Sequence, residues 1–166
     1  QYGFRQVHLT TTADGERLTV PDVRADAVVL VAGDSVANGA LLDDSETISS
    51  RLQALDPHRQ YVNLGIVGAR TADISCALER ATRRYRGRIR ELIYVACEND
   101  FDEAAPEAIA AEIARVAAAE RIDRVVLVYM PYIYNVVPEV TRVRGHSHFD
   151  FPFHREQKRR LLTQAR

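Results

Sequence analysis

Residues 27–33 read Ala-Val-Val-Leu-Val-Ala-Gly, a continuous apolar run that ends at a glycine. Such a run is typical of a strand that is buried on both faces of a parallel sheet. Three further runs of similar character occur at residues 61–64, 92–96 and 124–130. The sequence therefore predicts four strands that form the centre of one sheet.

Between these runs, apolar residues recur at the spacing of an α-helix. Thr71 or Asp73 is placed to cap the second helix, and Pro106 suits the first turn of the third. Strands that alternate with helices form βαβ units, so we predict an α/β fold with a mainly parallel sheet. The three helical patterns comprise Ile48, Leu52 and Leu55; Ile74, Leu78, Ala81 and Tyr85; and Ile109, Ile113 and Val116.

The two ends of the chain depart from this alternation. Two runs rich in Thr, Val and Leu flank Asp14-Gly15, a dipeptide that favours a tight turn, so residues 1–24 are predicted to form a β-hairpin extension. Residues 25–166 then form the α/β domain. A helical pattern in residues 152–166 has no strand after it, and we expect the C-terminal strand and helix of the domain to lie beyond this sequence.

The composition bounds the class of protein. The 166 residues are 46% hydrophobic and 27% charged, which suits one globular domain with a sizeable core. The 22 Lys and Arg residues nearly balance the 23 Asp and Glu residues. Because binding to phosphates usually needs a basic excess, we expect no nucleic-acid partner. The apolar runs are far shorter than the ~20 residues of a membrane span, so no span is expected in this chain.

The sequence shows no pattern typical of a metal site. Cys76 and Cys97 lack the spacing of zinc ligands and are too few for a disulfide scaffold. Glu98 and Asp100 resemble a metal-binding or acidic pair, but no third ligand stands at a suitable spacing. We therefore predict no metal.

Polar residues follow three of the predicted strands. Residues 33–39 read Gly-Asp-Ser-Val-Ala-Asn-Gly, residues 65–71 read Gly-Ile-Val-Gly-Ala-Arg-Thr, and residues 97–100 read Cys-Glu-Asn-Asp. In an open α/β sheet, ligands bind beyond the carboxyl ends of the strands, so these segments are expected to share one edge. A serine hydroxyl can attack a carbonyl, and backbone N–H groups with a side-chain amide can hold the developing oxyanion. The segments therefore predict acyl-transfer chemistry.

These segments resemble three sequence blocks of the SGNH (GDSL-type) esterase/lipase superfamily. Residues 33–35, Gly-Asp-Ser, together with Gly39 resemble block I of that family. Residues 62–68 resemble block II, and the Asn-Asp pair at residues 99–100 resembles block III. The similarity spans roughly residues 25–135, with the blocks in the family's order and each at the end of its expected strand.

The resemblance implies a flavodoxin-like, three-layer α/β/α fold in which Ser35 is the nucleophile. The backbone N–H groups of Ser35 and Gly68 and the side chain of Asn99 would form the oxyanion hole. Asp34 would be a structural neighbour of the nucleophile rather than its base. The implied reaction is hydrolysis of a carboxylic (acyl or acetyl) ester through an acyl-enzyme. Its substrate would be a small-molecule, carbohydrate or lipid ester, and it needs neither a metal nor an organic cofactor.

The sequence departs from the family's pattern at two places. Block III of the family usually reads Gly-x-Asn-Asp, whereas Cys97 stands here in place of the glycine and Glu98 precedes the asparagine. The family's base comes from an Asp-x-x-His motif, which does not occur in these 166 residues. His146, His148 and His154 follow the fourth predicted strand and are candidates for the base; otherwise we expect the pair to lie beyond this sequence.

Plainer structural roles are open for each of these residues. Ser35 would serve as a helix N-cap, Gly68 as a turn glycine and Asn99 as a capping or loop amide. Two other functions also fit the resemblance: a carbohydrate O-acetyltransferase of the same fold, and a catalytically inactive SGNH-like binding module. Glu98 and the absence of an Asp-x-x-His motif motivate the second of these.

Overall fold

A computed structural model of the chain describes residues 7–97, 100, 105–130, 156, 159, 160 and 163. Within these residues, four strands form one sheet in the order β2-β1-β3-β4, and every neighbouring pair is parallel. The predicted α/β fold with a parallel sheet is therefore confirmed. The strands are β1 (Val28–Gly33), β2 (Gln60–Asn63), β3 (Ile89–Cys97) and β4 (Arg124–Met130).

The helices follow the strands in alternation, as the apolar spacing predicted. In addition to the α-helices, a short 3₁₀ helix at Asp44–Glu46 precedes the second α-helix. The α-helices are α1 (Ser35–Asn38), α2 (Ile48–Leu55), α3 (Thr71–Arg84) and α4 (Pro106–Glu120).

The start of α3 differs from the prediction that Thr71 or Asp73 caps it. The N-cap residue is Arg70, whose backbone N–H donates a hydrogen bond of 3.0 Å to the Asp73 carboxylate in the first turn. Asp73 therefore supports the helix from its third position, where a carboxylate can reach back to the cap and interact favourably with the helix dipole. Pro106 begins α4, as predicted.

Strand β3 begins three residues before the predicted run of residues 92–96. Two charged residues in this extension hide the strand from an apolar pattern, and one of them, Glu91, is buried. Its carboxylate lies 2.9 Å from the Arg59 guanidinium and 2.6 Å from that of Arg124. The carboxylate can enter the sheet because both of its oxygens have cationic partners.

Two apolar layers enclose the sheet. Alternate residues of β1 face opposite sides, and all six residues of this strand are buried. Helices α3 and α4 pack on the face that carries Leu30, whereas Ile48 and Leu52 of α2 pack on the face that carries Val31. The three-layer α/β/α arrangement is therefore confirmed. Burying each large aliphatic side chain of these two layers stabilises the fold by about 1.5–3 kcal/mol.

The strand order creates a switch point between β1 and β3. The chain leaves β1 toward the α2 face, and it leaves β3 toward the opposite face through α4. Gly33 at the end of β1 is in register with Val95 near the end of β3. In doubly wound sheets, the crevice beyond the strand ends at such a point is where ligands bind. Ser35 lies two residues past Gly33, at this position.

The N-terminal segment lies along the free edge of β2. Its chain turns at Asp14-Gly15, where Gly15 has a φ of +80°, and Thr11 then forms an antiparallel bridge with Arg17. Arg17 also forms an antiparallel bridge with Asn63, the last residue of β2. The segment thus continues the sheet by one antiparallel bridge beyond its outermost parallel strand.

Arg17 is buried, and its guanidinium is surrounded by acceptors. Its Nε donates to the Asp44 carboxylate at 3.0 Å. Its Nη1 donates to the carbonyl oxygens of Asn38 and Gly39 at 3.2 and 2.7 Å, and its Nη2 donates to the Leu42 carbonyl oxygen at 2.6 Å. The guanidinium therefore ties the N-terminal segment to the loop that follows α1.

The contacts of Asp44 lower the pKa of its carboxyl. Burial alone would raise the pKa of its carboxyl, but hydrogen bonds from Thr10 and Arg17, together with the charge of Arg17, lower it. A carboxyl whose pKa is lower in the folded state stabilises the fold above its unfolded pKa and loses this contribution as the pH falls. The Arg17–Asp44 contact therefore favours the folded state at neutral pH and weakens in acid.

No helix within the described ranges is both long and apolar enough to cross a membrane. The helix predicted in residues 152–166 lies largely outside the described residues. Its four described members are helical: Glu156, Arg159, Arg160 and Thr163.

Arg17→Met is expected to lower the free energy of unfolding by about 3–5 kcal/mol, because it leaves the Asp44 carboxylate and several carbonyl oxygens without their buried cation. Urea denaturation followed by circular dichroism measures the change. Arg51→Met, at an exposed position of α2, is the matched control and should leave the midpoint nearly unchanged. Equal midpoints for the two variants would contradict this role of Arg17.

Candidate active site

Ser35 is the first residue of α1 and is partly exposed. The N-cap of this helix is Asp34, whose carboxylate accepts a hydrogen bond of 2.8 Å from the Val36 N–H. The second Asp34 oxygen lies 3.4 Å from the Ser35 hydroxyl oxygen. Asp34 therefore stabilises the turn that presents Ser35, and the alternative in which Ser35 itself is the N-cap is wrong.

The loop after β2 packs directly against α1. A Cβ atom added to Gly65 would lie 2.1 Å from the backbone nitrogen of Asn38, so only glycine allows this approach. The Asn38 side-chain amide donates to the Gly65 carbonyl oxygen at 2.8 Å, and the Ile66 N–H donates to the Gly33 carbonyl oxygen at 3.2 Å. The segments after β1 and β2, which carry Ser35 and Gly68, are thus joined.

Gly68 lies in a turn at the far end of this loop. The Ala69 N–H donates to the Ile66 carbonyl oxygen at 3.3 Å, and Gly68 between them has a φ of +70°. Positive φ at this position of a turn favours glycine. Gly68 is exposed, and a Cβ added there would meet nothing within 4 Å. By conformation Gly68 is a turn glycine; its predicted role as an oxyanion donor stays a prediction.

The segment after β3 is described only in part. Cys97 is the last residue of β3 and is buried, and its N–H donates to the Asp100 carboxylate at 2.9 Å. Glu98 and Asn99 between them lie outside the described residues. The role predicted for Asn99 therefore stays a prediction, although β3, which ends just before it, is the strand paired with β1.

A buried phenol lies beneath this edge of the sheet. Burial raises the pKa of the Tyr94 hydroxyl, and the negative charges of Asp100 and Asp34 raise it further. Among the described residues, its hydroxyl oxygen has no hydrogen-bond partner. Tyr94 is therefore held in its neutral form, so it adds no charge to an edge that already carries two carboxylates.

Two buried amides near Ser35 were missed by the sequence analysis. Asn38 belongs to α1, and Asn63 ends β2 with no exposed surface at all. The Asn63 side-chain oxygen accepts a hydrogen bond of 2.9 Å from the Gly65 N–H, and its nitrogen lies 3.0 Å from the Ser49 hydroxyl. The one available signal was a polar residue at the end of a short apolar run.

Two clefts of about 500 Å³ each adjoin the N-terminal turn. Both are lined by Asp14, Glu16, Asn63 and Arg84, and Ser35 lines neither of them. Burial raises the pKa of Glu16, although Arg84 and the Tyr85 hydroxyl oppose this shift. The first cleft is also lined by Gly65 and Ile66, so it adjoins the loop after β2, although Ser35 itself does not line it.

The three histidines that were considered as the base, His146, His148 and His154, lie outside the described residues. Among the residues that the structure does describe, no group of three or more His, Cys, Asp or Glu side chains is arranged to hold a metal ion.

Gly65→Ala is expected to destabilise the protein by about 3 kcal/mol, the upper end of the cost of overpacking, because the new methyl group meets the backbone of α1. Gly68→Ala is the matched control, and it should cost only about 1 kcal/mol, the cost of a positive φ for a residue with a Cβ. Thermal or urea unfolding measures both. Similar losses at the two positions would show that Gly65 does not pack against α1 as described.

A comparison of the chain with models of known protein families found no match, and a comparison with curated proteins found none either. The likeness to the SGNH superfamily therefore depends on the three ordered sequence blocks described above.

Proposed function

We propose that the protein is a serine esterase or acyl hydrolase of SGNH type, with Ser35 as its nucleophile. The observation that carries this proposal is the placement of Ser35 at the β1/β3 switch point, on a turn held by Asp34. The loop that carries Gly68 is hydrogen-bonded to the same turn on both sides of Ser35, through Gly33 and Asn38. The proposed substrate is a carboxylic ester of a small molecule, carbohydrate or lipid.

The reaction has two halves. In the first, the Ser35 oxygen forms a bond to the ester carbonyl carbon while its proton passes to a general base. The tetrahedral intermediate then collapses, and the alcohol leaves with that proton, which gives an acyl-enzyme. In the second half, water attacks the acyl carbon and the base takes a proton from the water. The base then passes this proton to the Ser35 oxygen as the bond to the acyl carbon breaks and the acid leaves.

The oxyanion of each tetrahedral intermediate needs donors that are already in place. The proposed donors are the N–H groups of Ser35 and Gly68 and the side chain of Asn99. Losing one such donor typically costs about 2.7–4 kcal/mol of transition-state stabilisation. His146, His148 and His154 are the candidates in this chain for the base. Asp34 is not proposed as the base, because the resemblance implies a structural role for it and its contact with the Ser35 hydroxyl is long at 3.4 Å.

Ser35→Ala is expected to abolish covalent labelling by a fluorophosphonate, which bonds to an activated serine oxygen. Folding should be nearly unchanged, because the Ser35 hydroxyl is partly exposed and its contact with Asp34 is long at 3.4 Å. Intact-protein mass spectrometry measures the added mass. Ser45→Ala, at an exposed serine of the 3₁₀ helix, is the control and should label like the parent. Labelling that survives Ser35→Ala would refute the proposed nucleophile.

Asn99→Ala is expected to lower kcat for p-nitrophenyl acetate by roughly 10²–10³-fold, the usual effect of losing an oxyanion donor. KM should change much less, because the lost bond is strongest in the transition state. Steady-state kinetics at several substrate concentrations separates the two constants. An unchanged kcat would remove Asn99 from the proposed oxyanion hole.

A further inference from the structure

One peptide unit of the loop after β2 is bound at both of its polar atoms to the segment that carries Ser35. The carbonyl oxygen of Gly65 accepts from the Asn38 side-chain amide at 2.8 Å. The N–H of the next residue, Ile66, donates to the Gly33 carbonyl oxygen at 3.2 Å. Because Gly33 and Asn38 stand on either side of Ser35, this peptide unit sets the position of the loop relative to the serine.

The hydrogen bonds of this peptide unit lie in buried surroundings, where water cannot readily replace them. Asn38 is only 9% exposed and Asn63 not at all, so water cannot readily take over their hydrogen bonds. The preceding peptide is also held, since the Gly65 N–H donates to the Asn63 side-chain oxygen at 2.9 Å. The two amides therefore orient both peptide units that flank Gly65.

The turn beyond this anchor ends at Ala69, which packs against the apolar core just before α3. Gly68 follows Ile66 by two residues, is exposed, and has open space where a side chain would be. The turn is closed by the hydrogen bond between Ala69 and Ile66, so Ile66 sets one of its two ends. The place of the Gly68 N–H thus depends on how Gly65 and Ile66 are held.

We propose that Asn38 is a positioning residue for the reaction at Ser35, which sets where the Gly68 N–H lies relative to the serine oxygen. This inference rests on the function proposed above. Oxyanion donors act when they lie about 2.7–3.1 Å from the oxyanion. A displacement of about 1 Å in a reacting geometry can cost about 10²-fold in rate. Among the described residues, the Asn38 side chain hydrogen-bonds only to Gly65, so its effect is exerted through the loop.

Asn38→Asp tests this role, because it keeps the size of the side chain. It removes the side-chain N–H that donates a hydrogen bond to the Gly65 carbonyl oxygen. We expect the rate of fluorophosphonate labelling at Ser35, and kcat for p-nitrophenyl acetate, to fall by roughly 10–100-fold. KM should stay unchanged, since the interaction acts on the transition state. The kcat is expressed per active site, counted from the initial burst of p-nitrophenol, so that unfolded molecules do not contribute.

Ser49→Ala is the matched control. It removes one of the two acceptors of the Asn63 nitrogen, the other being the Asn38 carbonyl oxygen at 3.5 Å. Both hydrogen bonds to Gly65 stay intact, so the labelling rate should remain that of the parent. Asn38→Ala is the second variant if Asn38→Asp folds poorly, and the same loss of kcat per active site is expected from it.

The outcomes separate the two proposals. If Ser35 is labelled in the parent and labels equally fast in both Asn38 variants, the positioning role is overturned while the proposed function stands. If Ser35 is not labelled in the parent, the proposed function fails and the positioning role fails with it. A loss of kcat with unchanged KM, absent in Ser49→Ala, supports the positioning role.

Discussion

The buried guanidinium of Arg17 is the interaction on which the arrangement around the sheet edge depends. A cation is costly to bury unless its donors are satisfied, and here the group meets the Asp44 carboxylate and the carbonyl oxygens of Asn38, Gly39 and Leu42. An arginine suits this task because its planar fork presents five N–H donors at once. The loop between α1 and α2 is therefore folded around a single side chain from the N-terminal segment.

Asn38 transmits this constraint to the candidate active site. Its backbone carbonyl accepts from Arg17, while its side-chain amide donates to Gly65 in the loop after β2. One residue thus links the N-terminal segment, the turn that carries Ser35 and the loop that carries Gly68. The site is consequently supported by contacts that converge from three parts of the chain, which is what a rigid catalytic geometry requires.

Beneath this edge of the sheet, at the start of α2, the buried contacts are polar rather than apolar. The buried hydroxyls of Thr47, Ser49 and Ser50 at the start of α2 bond to one another, to the Asp44 carbonyl oxygen and to the Asn63 amide. An apolar pattern cannot reveal such a layer, because the same residues are equally typical of an exposed helix start. Buried polar networks of this kind favour one arrangement over others only when their members are bonded.

The sequence by itself determined the parallel sheet, the strands around residues 28–33 and 124–130, and the placement of Ser35 beyond the first strand. It could do so because the spacing of apolar residues, and the point at which a run of them ends, depend only on neighbouring residues in the chain. Only the tertiary structure decided that Glu91 enters the sheet and that Arg17 and Asn38 hold the loops. Arg17 and Asp44 are 27 positions apart, as are Asn38 and Gly65, so each pairing exists only after the strands have assembled.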